Sequence, residues 1–210
     1  MNVSYLLSAV VTIGALHPLV HRVLSSYYSM FATHEHALYI QKNIVKAVVL
    51  AHMVPIILPL AFQALWYRHW EWDTIRTMGC IYGLCDGYSL IRYYHLLHPS
   101  TRFHHTIVTT YAVANLVLTG NPWKHLNVFG ATSILTFPVN VYLGLRYLLP
   151  DESKHRLRRI GLYIYSPAIV FNAVYQSVVM WHHPSFLYGA ILMALFYDDY
   201  FLWRHLYRAA

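Results

Sequence analysis

The sequence predicts an all-α membrane protein with about seven transmembrane helices, because it is rich in apolar residues, poor in charge and divided into span-length segments. Of its 210 residues, 58% are hydrophobic and only 11% are charged, whereas roughly 25% are charged in ordinary soluble domains. The apolar residues fall into seven segments, most of them near the roughly 20 residues that a spanning helix needs. Only short connections remain between them, so we expect a single membrane domain.

The seven predicted spans are separated by short polar or proline-containing breaks. Pro99 ends the third span, since proline cannot donate a backbone hydrogen bond and restricts the residue before it. A Gly-Asn-Pro turn at 120–122 precedes the fifth span, Pro150 stops it, and the run 182–184 turns the chain before the seventh. The predicted ranges are 5–24, 44–67, 75–97, 104–118, 126–149, 160–181 and 186–206.

The basic residues predict the orientation of these spans in the membrane. With seven spans, one side would carry ten basic residues: Arg22, Lys42, Lys46, Arg102, Lys154, Arg156, Arg158, Arg159, Arg204 and Arg208. The other side would carry three: Arg68, Arg76 and Lys124. The positive-inside rule therefore predicts a lumenal N-terminus and a cytosolic C-terminus. Basic residues on the cytosolic side, where they orient the spans and face anionic lipid, account for the net charge of +7. We therefore expect no nucleic-acid partner.

Residues 85–115 place ionisable side chains inside apolar sequence. Asp86 lies in the third predicted span, and the adjacent pair His104–His105 opens the fourth. Such groups are costly at membrane depth unless they face a protein interior or a wet cavity. We therefore expect a polar pocket in which His104 or His105 is a general base or nucleophile and Asp86 orients an imidazole. The alternative is that the histidine pair lies at a helix start in the membrane interface and lines no pocket.

Direct contact between Asp86 and His105 is not expected from these predicted spans. Asp86 would lie near mid-membrane, about 18 Å of helix rise from His98, unless the intervening loop dips inwards. Further polar residues are predicted to bind substrate, although asparagines in spans more often form interhelical hydrogen bonds. These candidates are Arg92, His95, Tyr111, Asn140, Arg146, Asp198 and Asp199.

Three groups of histidines are a candidate metal signal. His95 and His98, the 104–105 pair and the 182–183 pair superficially resemble the histidine boxes of membrane di-iron enzymes. The 182–183 pair, however, is predicted on the opposite side of the membrane, and no HxxHH box occurs in the sequence. We therefore expect no metal and no tightly bound cofactor.

Three stretches resemble a known family. In the first, Asp86 followed by His104–His105 resembles a family motif that has an aspartate in one span and a histidine pair at the start of the next. The run 133–140 with the following Leu-Arg-Tyr at 145–147, and the segment 43–52, resemble two further motifs. Together they resemble the TLC family (TRAM, LAG1 and CLN8 homology), membrane proteins of the endoplasmic reticulum that include ceramide synthases. The resemblance spans about residues 43–201.

The resemblance implies a barrel-like core of six helices around a lipid tunnel, after an anchoring helix. Residues 1–43 would form the anchor helix and loop, and residues 44–210 the core. In ceramide synthases the histidine pair serves acyl transfer from acyl-CoA to a sphingoid base. Those enzymes carry a His-Asp and a further Asp downstream, where this chain has Gly-Ala-Thr-Ser at 130–133. The chain thus looks closer to TLC proteins outside that branch.

Two functions follow as expectations. The first is an acyltransferase-like lipid enzyme of the endoplasmic reticulum that uses the histidine pair, with acyl-CoA as co-substrate and Arg92 and Arg146 holding anionic groups. The alternative is a non-enzymatic protein that binds lipid and adjusts membrane composition or escorts cargo. Both have membrane lipids and fatty acyl chains as partners, and both leave a homodimer open. A channel or transporter is disfavoured because no inverted repeat or charged pore ring is visible.

Overall fold

The computed structural model describes residues 3–28, 31–67, 70–118 and 123–208, and all regular structure in these ranges is helical. Two short 3₁₀ turns follow α3 and α5, at Tyr94–Leu96 and Ile134–Thr136. The predicted turn at 120–122 and the basic residue Arg68 lie outside the described ranges. The helices are α1 (Val3–Tyr27), α2 (Ala37–Tyr67), α3 (Trp72–Tyr93), α4 (Pro99–Val117), α5 (Trp123–Ser133), α6 (Phe137–Leu145), α7 (Asp151–His182) and α8 (Phe186–Arg208).

Several of these helices suit a lipid bilayer. Within the described residues, four stretches are long and apolar enough to cross a membrane: Ser4–Tyr27, Ala37–Ala64, Trp123–Leu145 and Asp151–His182. The third combines α5 and α6, so the eight helices form seven helical segments. The expectation of an all-α, multi-pass membrane protein is confirmed at this level. That all seven segments span, and that six enclose a barrel, remain predictions.

Three helices begin five or more residues earlier than the apolar segments suggest. α2 starts at Ala37, α4 at Pro99 and α7 at Asp151, rather than at 44, 104 and 160. Pro99 occupies the first turn of α4, where its missing N–H has no intrahelical partner to lose. Asp151 lies in the first turn of α7, where its charge complements the helix dipole. Apolar content marks the part of a helix that suits lipid, whereas the helix itself continues into polar sequence.

Small residues let α3 lie close to two neighbouring helices. Gly83 of α3 faces Ala112 of α4 so closely that a Cβ at Gly83 would overlap its side chain. One turn further on, a Cβ at Gly87 would lie 3.3 Å from Thr109 Cγ2. On the α5 side, Gly79 packs against Gly130. Such contacts bring helix backbones close together. They hold the part of α3 that carries Asp86 against the part of α4 that carries the two histidines.

Candidate functional site

Asp86 is the centre of a buried polar cluster. Its carboxylate is completely shielded from solvent, and Lys46 Nζ of α2 lies 2.7 Å and 2.8 Å from its two oxygens. His105 Nδ1 lies 2.8 Å from Oδ1, and His104 Nε2 lies 3.4 Å from Oδ2. One carboxylate therefore contacts an ammonium and two imidazoles.

The expectation that Asp86 and His105 would be apart was wrong. α3 ends at Tyr93, seven residues after Asp86, and α4 begins at Pro99, six residues before His105. The two side chains thus lie about 10 Å and 9 Å of helix rise from the turn that joins antiparallel α3 and α4. The prediction failed because it started the fourth span at 104, which placed the histidine pair at the membrane surface.

His105 faces the interior of the bundle. Its side chain is only 4% exposed, and its Nε2 lies 3.4 Å from Lys42 Nζ on α2. The Nδ1 contact with Asp86 is close, but it lacks the alignment of a hydrogen bond, and Nδ1 has no other partner. A charged lysine can only donate, so the lone pair of His105 lies on Nε2 and its proton on Nδ1.

His104 is held between two carboxylates. Its Nδ1 contacts Asp198 of α8, and its Nε2 faces Asp86. Both ring nitrogens can donate only in the protonated imidazolium form, so we assign His104 as a cation. The side chains of His104 and Asp198 are 21% and 19% exposed, and they form the accessible edge of an otherwise closed cluster.

The two lysines of α2 are site residues that sequence reasoning missed. Lys42 and Lys46 were counted with the basic residues of the cytosolic side, but both are buried. Lys46 also lies over the Tyr82 ring, with Nζ 4.3 Å from its centroid. Their spacing of four residues inside an apolar helix was an available signal, because it places both on one helix face.

Asp199 extends the cluster towards α7. Tyr165, a buried residue of α7, donates a hydrogen bond to Asp199 Oδ1 at 2.6 Å. Asp198 and Asp199 thus link α8 to different neighbours, the first to α4 and the second to α7. Tyr165 was not among the predicted site residues, since a tyrosine in a tyrosine-rich chain carries no signal of its own.

Four other predicted binding residues lie outside the cluster. Arg92 and His95 are exposed near the end of α3. The Tyr111 hydroxyl donates to the Leu126 carbonyl at 3.1 Å, where α4 meets α5. Asn140 donates to the Thr136 carbonyl, one turn earlier in the same chain segment. These contacts are structural, and a role for the four residues in substrate binding stays a prediction.

Arg146 lies in a separate group of side chains. It follows α6 directly, and one guanidinium nitrogen lies 3.1 Å from His205 Nε2 of α8. The structure therefore brings together Asp86, His104, His105, Asp198 and Asp199 of the predicted site, and leaves Arg146 beside it.

The cluster contains a set of potential metal ligands. One atom each from Asp86, His104 and His105 lies within 4.8 Å of the other two, a separation that a metal ion could bridge. Lys46, however, lies against both Asp86 oxygens. A metal would have to displace this ammonium, so the donor set fits an ion-paired site better than a cation site. The absence of a metal stays a prediction.

Two surface depressions in the described part of the chain lie away from the histidine cluster. One, of about 520 Å³, is lined by Met180, Gly189, Met193 and other residues where α7 meets α8. The other, of about 530 Å³, is lined by Phe201, Arg204, His205 and Arg208 of α8. Neither borders His105, and the predicted acyl-chain tunnel stays a prediction.

No protein-family model matches the chain, and no curated protein or solved structure is significantly similar to it.

Proposed function

We propose that this chain is a TLC-type membrane protein of lipid metabolism in the endoplasmic reticulum, with a lumenal N-terminus and a cytosolic C-terminus. Its activity is acyltransferase-like: it moves an acyl group from acyl-CoA or an acyl-lipid to a lipid acceptor. The observation that supports this most is the buried Asp86 carboxylate shared by His104, His105 and Lys46. The sequence resemblance to the TLC family, which includes the ceramide synthases, supports the same chemistry.

His105 is the reacting histidine in this proposal. Asp86 lies beside Nδ1 and the lone pair lies on Nε2, which is the order of groups found where a carboxylate orients an imidazole for catalysis. As a base, Nε2 exchanges its contact with Lys42 for the acceptor. It then takes the acceptor's proton while the acceptor attacks the acyl carbonyl and the thiolate leaves. As a nucleophile, Nε2 attacks the carbonyl and the carbon–sulfur bond breaks, so that the thiolate leaves. Nε2 then carries the acyl group until the acceptor takes it, and the acceptor's proton passes to the thiolate.

Lys42 and His104 have supporting roles. The Lys42 ammonium lies 3.4 Å from the reacting nitrogen, so it is placed to stabilise the negative oxygen of a tetrahedral intermediate. His104, with both nitrogens facing carboxylates, has no free lone pair. It is a positioning residue that holds Asp86 and ties α4 to α8.

The exposure of the cluster indicates how a lipid would enter. His104 and Asp198 are partly exposed, whereas Asp86 and His105 are buried. A substrate therefore approaches between α4 and α8, past the contact between His104 and Asp198. Entry from the side of the bundle suits an acyl chain, because the chain can remain in the bilayer while its carbonyl reaches His105.

The transfer is tested with purified protein in liposomes of endoplasmic-reticulum lipids. Isotope-labelled acyl-CoA is added, and acylated products are identified by mass spectrometry. We expect a labelled lipid from the wild type and from His155→Ala, an exposed-histidine control on α7. The double variant His104→Ala/His105→Ala should make none. The same product at the same rate from that double variant would contradict the proposal.

The alternative is a non-enzymatic role in lipid binding. It is favoured because Asp86 is already paired with Lys46, and His104 with Asp198, so neither side chain is free to react. In this role the network holds α2, α3, α4 and α8 together, and a lipid would bind between these helices without reacting. This role predicts that native mass spectrometry detects intact lipid on the purified protein and that no labelled product forms. It would then regulate membrane composition or escort cargo.

A further inference from the structure

Two arginines and a histidine lie together where the end of α6, the start of α7 and the end of α8 meet. We call Arg146, Arg158 and His205 the arginine cluster. Arg146 follows α6, Arg158 lies two turns into α7, and His205 is in the last turn of α8. His205 is six residues beyond Asp199, so the cluster lies about 9 Å of helix rise from that aspartate.

The polar and aromatic contacts of Arg146 leave its charge without a counter-ion. One terminal nitrogen lies 3.1 Å from His205 Nε2, and the other donates to the Tyr147 hydroxyl at 2.7 Å. Its Cζ lies 4.8 Å from the Tyr147 ring centroid and 5.4 Å from that of Tyr39. Aromatic faces stabilise a cation, but none of these partners neutralises it.

Arg158 is even more enclosed. Only 4% of the residue is exposed, and its Nε, like that of Arg146, is shielded from solvent without a hydrogen-bond partner. Leu157 and Leu206, the chain neighbours of Arg158 and His205, pack in one apolar cluster, which brings this part of α7 beside the end of α8. Within the described ranges, no carboxylate forms an ion pair with either arginine. Burying a guanidinium in this way is costly unless an anion joins it.

We propose that the arginine cluster binds a phosphate group. Guanidinium presents paired N–H donors that match phosphate oxygens, and the unpartnered Nε atoms supply donors that the protein itself leaves unused. The depression lined by Phe201, Arg204, His205 and Arg208 shares His205 with the arginine cluster and adds two further arginines beside it. The phosphate belongs either to a phospholipid headgroup or to a soluble nucleotide-type carrier such as coenzyme A.

Tyr39 places the phosphate site next to the histidine site. The centroid of its ring lies 5.4 Å from Arg146 Cζ and 4.9 Å from Lys42 Nζ, and Lys42 in turn lies 3.4 Å from His105 Nε2. A molecule whose phosphate rests on the arginine cluster can therefore extend a chain past Tyr39 towards His105. The binding itself does not depend on the transfer chemistry proposed above.

The test measures binding by full-length protein in a maltoside detergent, which contains no phosphate. Coenzyme A is titrated by calorimetry in one arm, and phosphatidic acid is added and detected by native mass spectrometry in the other. We expect one of the two probes to bind the wild type and to bind Arg146→Gln and Arg158→Gln at least about tenfold more weakly. Arg159→Gln is the matched control, because it removes the same charge from the exposed neighbouring residue.

Each outcome decides the proposal. Loss of coenzyme A binding in Arg158→Gln but not in Arg159→Gln identifies a soluble carrier, and the same pattern with phosphatidic acid identifies a lipid headgroup. Binding of neither probe to the wild type, or equal loss in Arg159→Gln, would overturn it. If Arg158→Gln does not fold, Arg146→Gln and Arg158→Lys replace it, the latter keeping the charge but losing the planar donors. Retained phosphate binding without acyl transfer would count against the proposed function alone.

Discussion

Lys46 Nζ lies within 2.8 Å of both carboxylate oxygens of Asp86, and the carboxylate is completely buried. This pair joins α2 to α3 at the level where α4 presents its two histidines. Among the described residues, Asp86 is the only carboxylate that pairs with Lys46, whereas Asp86 without Lys46 would keep only its histidine contacts. Each charge therefore offsets much of the cost of burying the other.

The Lys46–Asp86 pair should therefore show strong energetic coupling. We expect Lys46→Met or Asp86→Asn alone to lower the free energy of unfolding by about 3–5 kcal/mol, because each removes the ammonium–carboxylate contact from a buried site. The double variant should lose clearly less than the two single losses combined. Chemical unfolding in detergent, followed by circular dichroism, measures all three. Additive losses would show that the pair is not coupled.

His104 and His105 should differ in their contribution to transfer. We expect His105→Gln to remove the activity, whereas His104→Gln should retain part of it, since His104 positions Asp86 and offers no lone pair. Removal of a general base commonly costs about 10²- to 10⁴-fold in rate. Initial rates with labelled acyl-CoA give the comparison. Greater loss in His104→Gln than in His105→Gln would reverse the assigned roles.

Lys42 should act on the rate of the chemical step more than on binding. Its ammonium lies beside His105 Nε2, where the negative oxygen of an intermediate would form. We expect Lys42→Met to lower kcat by about 10²- to 10³-fold with little change in KM, the range found on removal of one oxyanion donor. Lys42→Arg should recover part of the rate because it keeps the charge. A change confined to KM would assign Lys42 to substrate binding instead.

Asp198 should control the contact between α4 and α8. Its carboxylate contacts His104, whereas Asp199 accepts a hydrogen bond from Tyr165 of α7. We expect Asp198→Asn to increase amide hydrogen exchange in the segments of α4 and α8 around this contact. Tyr165→Phe, the comparison variant, should affect α7 and α8 and leave α4 unchanged. Equal protection of α4 in Asp198→Asn and wild type would show that other contacts hold the two helices.

The close approach of α3 and α4 should depend on Gly83. A methyl group there would overlap Ala112, so we expect Gly83→Ala to destabilise the protein by about 1–3 kcal/mol and to slow transfer, since Asp86 and His105 would separate. Gly14→Ala on α1 is the control, because no atom lies within 4 Å of the added carbon. Both variants are compared by thermal unfolding. Equal melting temperatures for the two would show that the interface relaxes without cost.

The sequence predicted the helical membrane class because low charge and span-length apolar segments are direct signals of it. It predicted helix ends less well. Apolar residues mark only the part of a helix that lies in lipid. α7, by contrast, begins at Asp151, and its first turns contain charged residues that still favour helix. The early start of α4 at Pro99 had the largest effect, because it changed the depth of His105.

The candidate site could be predicted only in part. Asp86, His104 and His105 were identified from the cost of ionisable groups in apolar sequence, and the same argument applied to Lys42 and Lys46. The lysines were assigned to a membrane surface instead, since basic residues near predicted span ends usually lie there. Their partners could not be inferred, because contacts across helices depend on helix rotation and register, which a single sequence does not specify.

The most direct test of the account is the rate at which purified protein in liposomes transfers a labelled acyl group, compared between His105→Ala and the exposed-histidine control His155→Ala. The account predicts background transfer for His105→Ala and wild-type transfer for His155→Ala, with both variants folded by circular dichroism. Wild-type transfer by folded His105→Ala would contradict it.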